Sequence, residues 1–441
     1  MEPTARLELA PAAGHALRLL AVGDIAFDPA GAADAAAVLA ALRDVYAPEL
    51  LEVLRDKDVS LANLETVLSN SRAPLPKDGP NLWAPPAAVQ ALTAGGFDLA
   101  MMANNHVMDQ GAEALNETLS VVRAAGLRPL GAGANLADAL QPAVMTVRGV
   151  RVGFLAVADE DVLSAGETAP GAARLDLAAV VPAIEKLKPQ ADVVIVSVHG
   201  DKELAPTPSP RMQRLCRCLV DCGAAAVIGH HPHIIHGIEV HRGAPILYSL
   251  GNFHFPTPRS LLPPCWYEGM IARLTIADRR VAAVEVYACE QAPRGGAGGV
   301  RLMTGAAREE WRRRLERFSQ VAADPVLVRE FWKCTCFDLR DAYLTVLKTA
   351  AAGVQPRFLR MIRGALGTRD VFYLPAVAAD YLHYLLSRKT ARARRVATLR
   401  GLWASPINRE VLLTILEMEQ AGQGPAPAAW AEFQTWKPYF T

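Results

Sequence analysis

The sequence predicts an α/β fold followed by a mainly helical C-terminal part. Up to about residue 240, short apolar runs that end in polar residues alternate with stretches of helical periodicity. This alternation is typical of a largely parallel sheet with helices on its faces. From about residue 303 to 421, apolar and aromatic residues recur at a spacing of three and four, which indicates amphipathic helices. We therefore expect one domain over residues 1–300 and a helical domain or cap over residues 301–441.

Five apolar runs are predicted to be buried strands that deliver ligand-capable side chains at their carboxyl ends. They end at Asp24, Glu65, His106, His199 and His233. Open α/β sheets bind ligands in the crevice beyond the carboxyl ends of their strands, so we expect these side chains to lie close together. The stretches between the runs predict helices over 34–56, 86–95, 111–125 and 208–222. Shorter β-like runs after residue 240 should complete the first domain, and the glycine-rich run at 294–299 is interpreted as a loop or linker.

Composition limits the class of partner. Among 441 residues, 51% are hydrophobic and the formal net charge is +1, so the chain offers no broad attraction to nucleic acid. No apolar stretch near residue 1 is long enough for a signal peptide or a membrane span, and the seven cysteines suggest no disulfide framework. We expect a cytoplasmic protein that acts on a small-molecule or peptide substrate without contacting nucleic acid or membrane. Formation of a homo-oligomer stays open.

Histidine placement is the clearest chemical signal. The turn GHHPH places His231 and His233 with one residue between them, where both could face a common centre. Neutral imidazole is a common ligand of zinc, iron and manganese, and carboxylates suit the harder of these ions. Simpler interpretations remain: the turn could be held by hydrogen bonds, Asp24 could cap a helix, and Glu65 could be a surface acid.

Several motifs, taken in order, resemble known proteins. The series GDIAF, NLE, NNHVMDQG, SVHGDKE and GHHPH is similar to the ligand ladder of the calcineurin-like metallophosphatase superfamily. More closely, ANLETVLSN, MMANNHVMDQG, GAAAVIGHHPHIIHGIEV and ILYSLGNFHF resemble the CapA family of bacterial capsule and poly-γ-glutamate synthesis. The resemblance spans about residues 18 to 290. It implies a metallophosphatase-type αββα sandwich with a helical C-terminal addition.

The resemblance also implies a centre of two divalent metal ions, which could be Mn, Fe or Zn. One ion would be held by Asp24 and His233 and the other by Asn105, His199 and His231, with Glu65 bridging the two. His106 would give a proton or hydrogen bond to the leaving oxygen, and Asp109 would orient His106. The implied activity is metal-dependent hydrolysis of a phosphoester or amide-like bond.

The sequence departs from the superfamily pattern at several positions, and at one of them an expected ligand is missing. Ala26 stands where a histidine is usual, and Asn63, His230 or a water could substitute. Glu203 is expected to fix the tautomer of His199. Further residues are expected to line the pocket: Tyr248, Ser249, Asn252 and His254. Two alternatives to the leading function are a γ-glutamyl or peptide amide hydrolase or transferase and a non-catalytic metal-binding partner of a biosynthetic complex.

Overall fold

A computed structural model describes residues 1–11, 16–27, 42, 44–75, 77, 79–159, 163–257, 262–292, 299–351 and 405–440. Its strands are β1 (Ala5–Glu8), β2 (Leu17–Ile25), β3 (Val59–Leu64), β4 (Leu99–Met101), β5 (Arg128–Leu130), β6 (Ala132–Gly133), β7 (Ala143–Val147), β8 (Val150–Ala158), β9 (Gly171–Ala172), β10 (Val193–His199), β11 (Ala226–His230), β12 (Ile238–His241), β13 (Ala244–Leu247), β14 (Asn252–His254), β15 (Glu268–Ala277), β16 (Arg280–Gln291) and β17 (Val300–Leu302). Its α-helices are α1 (Pro48–Arg55), α2 (Val89–Ala94), α3 (Gly111–Ala124), α4 (Leu136–Ala139), α5 (Leu177–Leu187), α6 (Pro210–Asp221), α7 (Gly305–Ala323), α8 (Pro325–Ala351), α9 (Pro406–Ala421) and α10 (Pro427–Phe440).

Two large sheets carry the site. The first has the order β1-β16-β15-β2-β3-β4-β5, with β14 beside β2 and β17 beside β16. Its run from β2 to β5 is parallel. The second has the order β12-β13-β11-β10-β8-β7, and its four middle strands are parallel. The candidate ligands lie at or after the carboxyl ends of β2, β3, β4, β10 and β11.

The sheets face each other across a shared apolar core. Leu19 and Leu61 of the first sheet belong to the same buried cluster as Ile195 and Ile228 of the second. Neighbours such as Val194 point to the opposite face, because successive side chains of a strand alternate. That outer face is covered by α5 and α6, and α1, α2 and α3 contribute to the cluster of the first sheet. The result is the predicted αββα sandwich.

The start of helix α6 shows how local signals set a helix boundary. Helix α6 begins where predicted, because Ser209 accepts a hydrogen bond from the backbone N–H of Met212 and Pro210 occupies the first turn. Of the predicted helix 34–56, the structure describes residues 42 and 44–56, and within them α1 forms at Pro48–Arg55; residues 28–41 lie outside the described ranges. The prediction did not include α5, which contains Pro182, a residue that normally interrupts helices.

The C-terminal part is helical in the described residues, as predicted. Trp311 and Phe318 of α7 and Phe440 of α10 pack into the main core. Residues 352–404 and 293–298, which contain much of the predicted helical run and most of the glycine-rich run, lie outside the description. The domain boundary at residue 300 stays a prediction. Across the described ranges, no helix combines the length and apolar character that crossing a bilayer requires.

Candidate metal centre

Asp24 joins the two sheets at the centre of the site. Its Oδ1 accepts hydrogen bonds from Asn63 Nδ2 at 2.8 Å and from His230 Nδ1 at 3.0 Å. Its Oδ2 accepts the backbone N–H of His231 at 3.1 Å and lies 3.4 Å from His233 Nδ1. Burial opposes ionisation of this carboxyl, but the hydrogen bonds from His230 and His233 hold its pKa well below the usual range. Asp24 is therefore a preoriented anion.

Glu65 follows β3 and lies among three imidazoles. Its Oε1 is 3.6 Å from His199 Nε2 and 3.8 Å from Nε2 of both His106 and His233. The side chain has no exposed surface, and neither carboxyl oxygen has a hydrogen-bond partner. Burial raises the pKa of Glu65 well above its ordinary value. Two orphaned buried oxygens beside imidazole nitrogens fit a site for cations, because buried carboxylates normally pair or coordinate metal.

Histidines and amides complete this donor set. His199 Nε2 lies 2.8 Å from Asn105 Oδ1 and 3.1 Å from His231 Nδ1. Burial lowers the pKa of His199 well below its ordinary value and that of His231 to about 4. Both rings are therefore neutral at physiological pH, which is the form that binds metal.

His233 has the opposite electrostatics. Burial disfavours its charged form, but Glu65 and Asp24 outweigh burial and raise its pKa to about 10. The two carboxylates thus stabilise positive charge at this position, which the proton on His233 supplies. A divalent cation would satisfy the same demand.

The donors fall into two overlapping sets. Glu65, His231 and His233 form one, and Asp24, Glu65 and His199 form the other, with donor atoms within 4.8 Å of one another in each. Glu65 is common to both, as a bridging ligand would be. The resemblance pairs Asp24 with His233, and His199 with His231, whereas these sets group His231 with His233 and Asp24 with His199. The two residues of each pair implied by the resemblance are also in contact.

Backbone conformation directs two of these imidazoles. His231 and His233 have φ values of 96° and 61°, in the left-handed region that residues other than glycine seldom adopt. Such conformations cost on the order of 1–3 kcal/mol each and cluster at functional sites. The GHHPH turn is therefore held in a strained form that points both rings toward Glu65.

His106 and Asp109 form a pair beside the cluster. His106 Nδ1 lies 2.6 Å from Asp109 Oδ2, and its Nε2 faces Glu65. Lys77 was not among the predicted residues, but its Nζ forms an ion pair with Asp109 and lies 3.1 Å from His106 Nδ1. Burial and Lys77 lower the pKa of His106. No motif marked Lys77, because it lies on an irregular segment far from Asp109 in the chain.

Ala26 is enclosed by apolar side chains. It has no exposed surface and packs in a cluster with Leu82, Phe255, Trp266 and Tyr267. Phe255 and Trp266 also contact the ring of His233, with centroids 5.0 and 4.6 Å apart. Asn63 and His230, two candidates to replace the missing histidine, both hydrogen-bond to Asp24. In this structure both residues therefore orient the carboxylate of Asp24, which is itself a candidate metal ligand.

Two expected roles are wrong in detail. The hydroxyl of Tyr248 donates to Glu239 at 2.5 Å on the outer face of the second sheet, away from the cluster. Glu203 is exposed, and within the described structure it makes no hydrogen bond to His199; Asn63 Nδ2 lies 3.2 Å from His199 Nδ1 instead.

The other predicted pocket residues have supporting positions. Asn252 Oδ1 lies 3.0 Å from His233 Nδ1 and fixes that ring. Ser249 accepts the backbone N–H of Gly251 in a turn. His254 lies near Phe27, and burial lowers its pKa to about 4.

Comparison with known proteins identifies relatives of this chain. A family model described as bacterial capsule synthesis protein PGA_cap matches residues 18–257, more than half of the chain. The capsule biosynthesis protein CapA of Bacillus anthracis is 36% identical over 181 residues, which cover 40% of this chain and 44% of that protein. A probable polyglutamine synthesis accessory protein of Mycobacterium tuberculosis is 33% identical over 219 residues, or 46% of this chain and 58% of that protein. The chain thus spans about half the length of the curated relatives it matches.

A solved structure is similar at a lower level. The 5'-nucleotidase precursor of Thermus thermophilus is 15% identical, with a TM-score of 0.39, over 69% of this chain and 59% of that chain. Because this TM-score is low, the description of the fold rests on the strand order and layers given above.

Proposed function

The chain belongs to the bacterial capsule synthesis protein family PGA_cap, and we propose that it is a metal-dependent hydrolase with a dinuclear centre around Glu65. The observation that carries the proposal is the buried Glu65 carboxyl, whose two oxygens have no hydrogen-bond partner. Burying a carboxylate costs several kcal/mol unless positive charge and hydrogen bonds compensate it, and a divalent cation would supply more of that compensation than the proton on His233 alone. The donors proposed to hold the cations are Asp24, Glu65, Asn105, His199, His231 and His233.

The mixture of oxygen and nitrogen donors favours Mn, Fe or Zn. When bound, the cations would act as Lewis acids on a phosphoryl or acyl oxygen. Asp24 is held by Asn63 and His230, so the ligand is oriented before an ion arrives. This preorganisation reduces the conformational entropy that the Asp24 side chain loses when a cation binds.

His106 is the proposed proton donor to the leaving group. Asp109 occupies its Nδ1 side, which leaves Nε2 as the atom that faces the cluster. A histidine can exchange a proton with a substrate oxygen within hydrogen-bond reach of that nitrogen. Asp109 thus orients the ring, and His106 is the group proposed to contact the substrate.

The substrate is proposed to be a small molecule or peptide with a phosphoester bond. A glutamyl amide is the second candidate, favoured by the names of the relatives, which refer to capsule, PGA and polyglutamine synthesis. A non-catalytic metal-binding role is the third outcome to test, because Ala26 lies where an additional ligand is expected. Cytoplasmic location and homo-oligomer formation stay predictions.

Elemental analysis of protein purified without chelator tests the centre. We expect about two equivalents of metal in the unmodified protein and loss of metal in both Asp24→Ala and His231→Ala. The metal-loaded protein is then assayed with p-nitrophenyl phosphoesters and with γ-glutamyl peptides. Hydrolysis of the first group alone supports the leading proposal, and hydrolysis of the second alone supports the amide alternative. Absence of metal after reconstitution would overturn both.

A further inference from the structure

Lys77 is a largely buried cation beside the proposed proton donor. It lies on the segment between β3 and α2, and its side chain is only 11% exposed. Its Nζ forms an ion pair with Asp109 Oδ1 and lies 3.2 Å from the backbone oxygen of Asn105 and 3.1 Å from His106 Nδ1. Burying an ammonium group requires such compensation. One side chain therefore contacts both the candidate ligand Asn105 and the pair that includes His106.

The hydrogen-bonding roles of this group are set by its chemistry. An ammonium group only donates, and an ionised carboxylate only accepts. The proton between His106 Nδ1 and Asp109 Oδ2, which are 2.6 Å apart, therefore belongs to His106. Lys77 donates to Asp109 and to the Asn105 carbonyl, and its contact with the protonated Nδ1 of His106 is not a hydrogen bond, because both nitrogens are donors.

Asp109 is fixed from several sides by this arrangement. Lys77 holds Oδ1, and the backbone N–H of Leu82 donates to Oδ2 at 2.5 Å. The carboxylate can then accept the Nδ1 proton of His106 in one orientation, which turns Nε2 toward Glu65 at 3.8 Å. Loss of Lys77 would release Asp109 on one side and leave the Asn105 carbonyl without this donor.

We propose that Lys77 is a positioning residue, which orients Asp109 and through it the His106 ring so that Nε2 faces the metal cluster. The inference rests on the proposed function, since that orientation serves proton transfer to a substrate. Lys77 itself touches neither the candidate donor atoms nor, in this proposal, the substrate. Its removal should impair turnover and leave metal binding intact.

A double-mutant cycle tests this role in the metal-loaded protein. Lys77→Met should lower kcat for bis(p-nitrophenyl) phosphate by roughly 10- to 100-fold, as for other residues that support a site residue, with KM and metal content unchanged. In the Asp109→Asn background, Lys77→Met should lower kcat by less than a further factor of about 3, because both residues act through one contact. Independent, multiplicative effects or loss of metal would overturn the proposal. If Lys77→Met does not fold, Lys77→Ala is assayed with ethylammonium, which should restore part of kcat; absence of rescue would count against it.

A spectroscopic measurement separates this inference from the proposed activity. In metal-free protein labelled with ¹⁵N-histidine, the His106 signal, assigned by its loss in His106→Ala, should show an Nδ1-protonated ring. Lys77→Met should broaden it or add the other tautomer, whereas Lys333→Met should not, since Lys333 pairs with Glu330 on α8. An unchanged signal in Lys77→Met would overturn the positioning role whatever the activity. A changed signal in a protein that hydrolyses neither substrate class would overturn the proposed function and leave the ring orientation standing.

Discussion

Replacing Glu65 with glutamine should have opposite effects on the metal-free and metal-loaded protein. In the metal-free form the variant removes a buried carboxyl whose oxygens have no hydrogen-bond partner and whose ionisation is disfavoured by burial. An unsatisfied buried group costs about 1–3 kcal/mol when it is neutral, as the glutamine amide is, and more when it is charged. The proton on His233, 3.8 Å from Glu65 Oε1, offsets part of that cost. We therefore expect metal-free Glu65→Gln to be more stable than the unmodified protein by about 1 kcal/mol.

In the metal-loaded form the same variant should lose stability, because Glu65 belongs to both donor sets. A ligand present at about 1,000 times its Kd stabilises the folded state by about 4 kcal/mol. If loss of the carboxylate weakens binding about 100-fold, about 2.7 kcal/mol of that gain disappears. The stabilisation by added Mn²⁺ or Zn²⁺ should then fall to about a third of its original value.

Thermal and urea unfolding with and without metal, together with elemental analysis, measure both effects. Glu239→Gln is the matched control: Glu239 is also buried, but it pairs with Arg217 and accepts from Tyr248. The control should lose about 1–3 kcal/mol with or without metal and retain its metal equivalents. A metal-free Glu65→Gln that is less stable than the unmodified protein, or one that keeps the full metal-dependent gain, would refute the reasoning.

Three further predictions concern proton transfer, the C-terminal helices and pH. His106→Ala should lower kcat by roughly 10²- to 10⁴-fold while elemental analysis finds unchanged metal; loss of metal would contradict the proposed role. Trp332→Ala should cost about 3–5 kcal/mol in urea unfolding, because Trp332 is buried against Ala205 and donates to Thr414, whereas the partly exposed Phe337→Ala should cost much less. Burial raises the pKa of Asp201 to about 7, so the folded protein holds this proton more tightly than the unfolded chain. Stability of the metal-free protein should therefore fall as pH rises from about 4 to 7, and a pH series in which Asp201→Asn shows the same fall would contradict this assignment.

Much of the fold could be predicted because strands and helices have local patterns. Three of the predicted runs form strands: Asp24 and His199 lie at the ends of β2 and β10, and Glu65 directly follows β3, all at the expected edge of the sheets. Helix α5 was not predicted, since Pro182 obscures its periodicity. The prediction that Tyr248 lines the pocket is wrong because side chains alternate along a strand. Leu247 faces the core between the sheets, so Tyr248 points to the opposite face.

The sequence by itself determined the family, the strands and the side chains available as ligands, because these depend on residue types and short spacings. Only the tertiary structure decided which atoms meet. Asp24 contacts His230 across the two sheets, and Lys77 reaches Asp109 from an irregular segment. The unpartnered oxygens of Glu65 and the apolar enclosure of Ala26 are likewise invisible in a motif. Such contacts join residues far apart in the chain, and their geometry depends on how the sheets and loops pack, which no local pattern specifies.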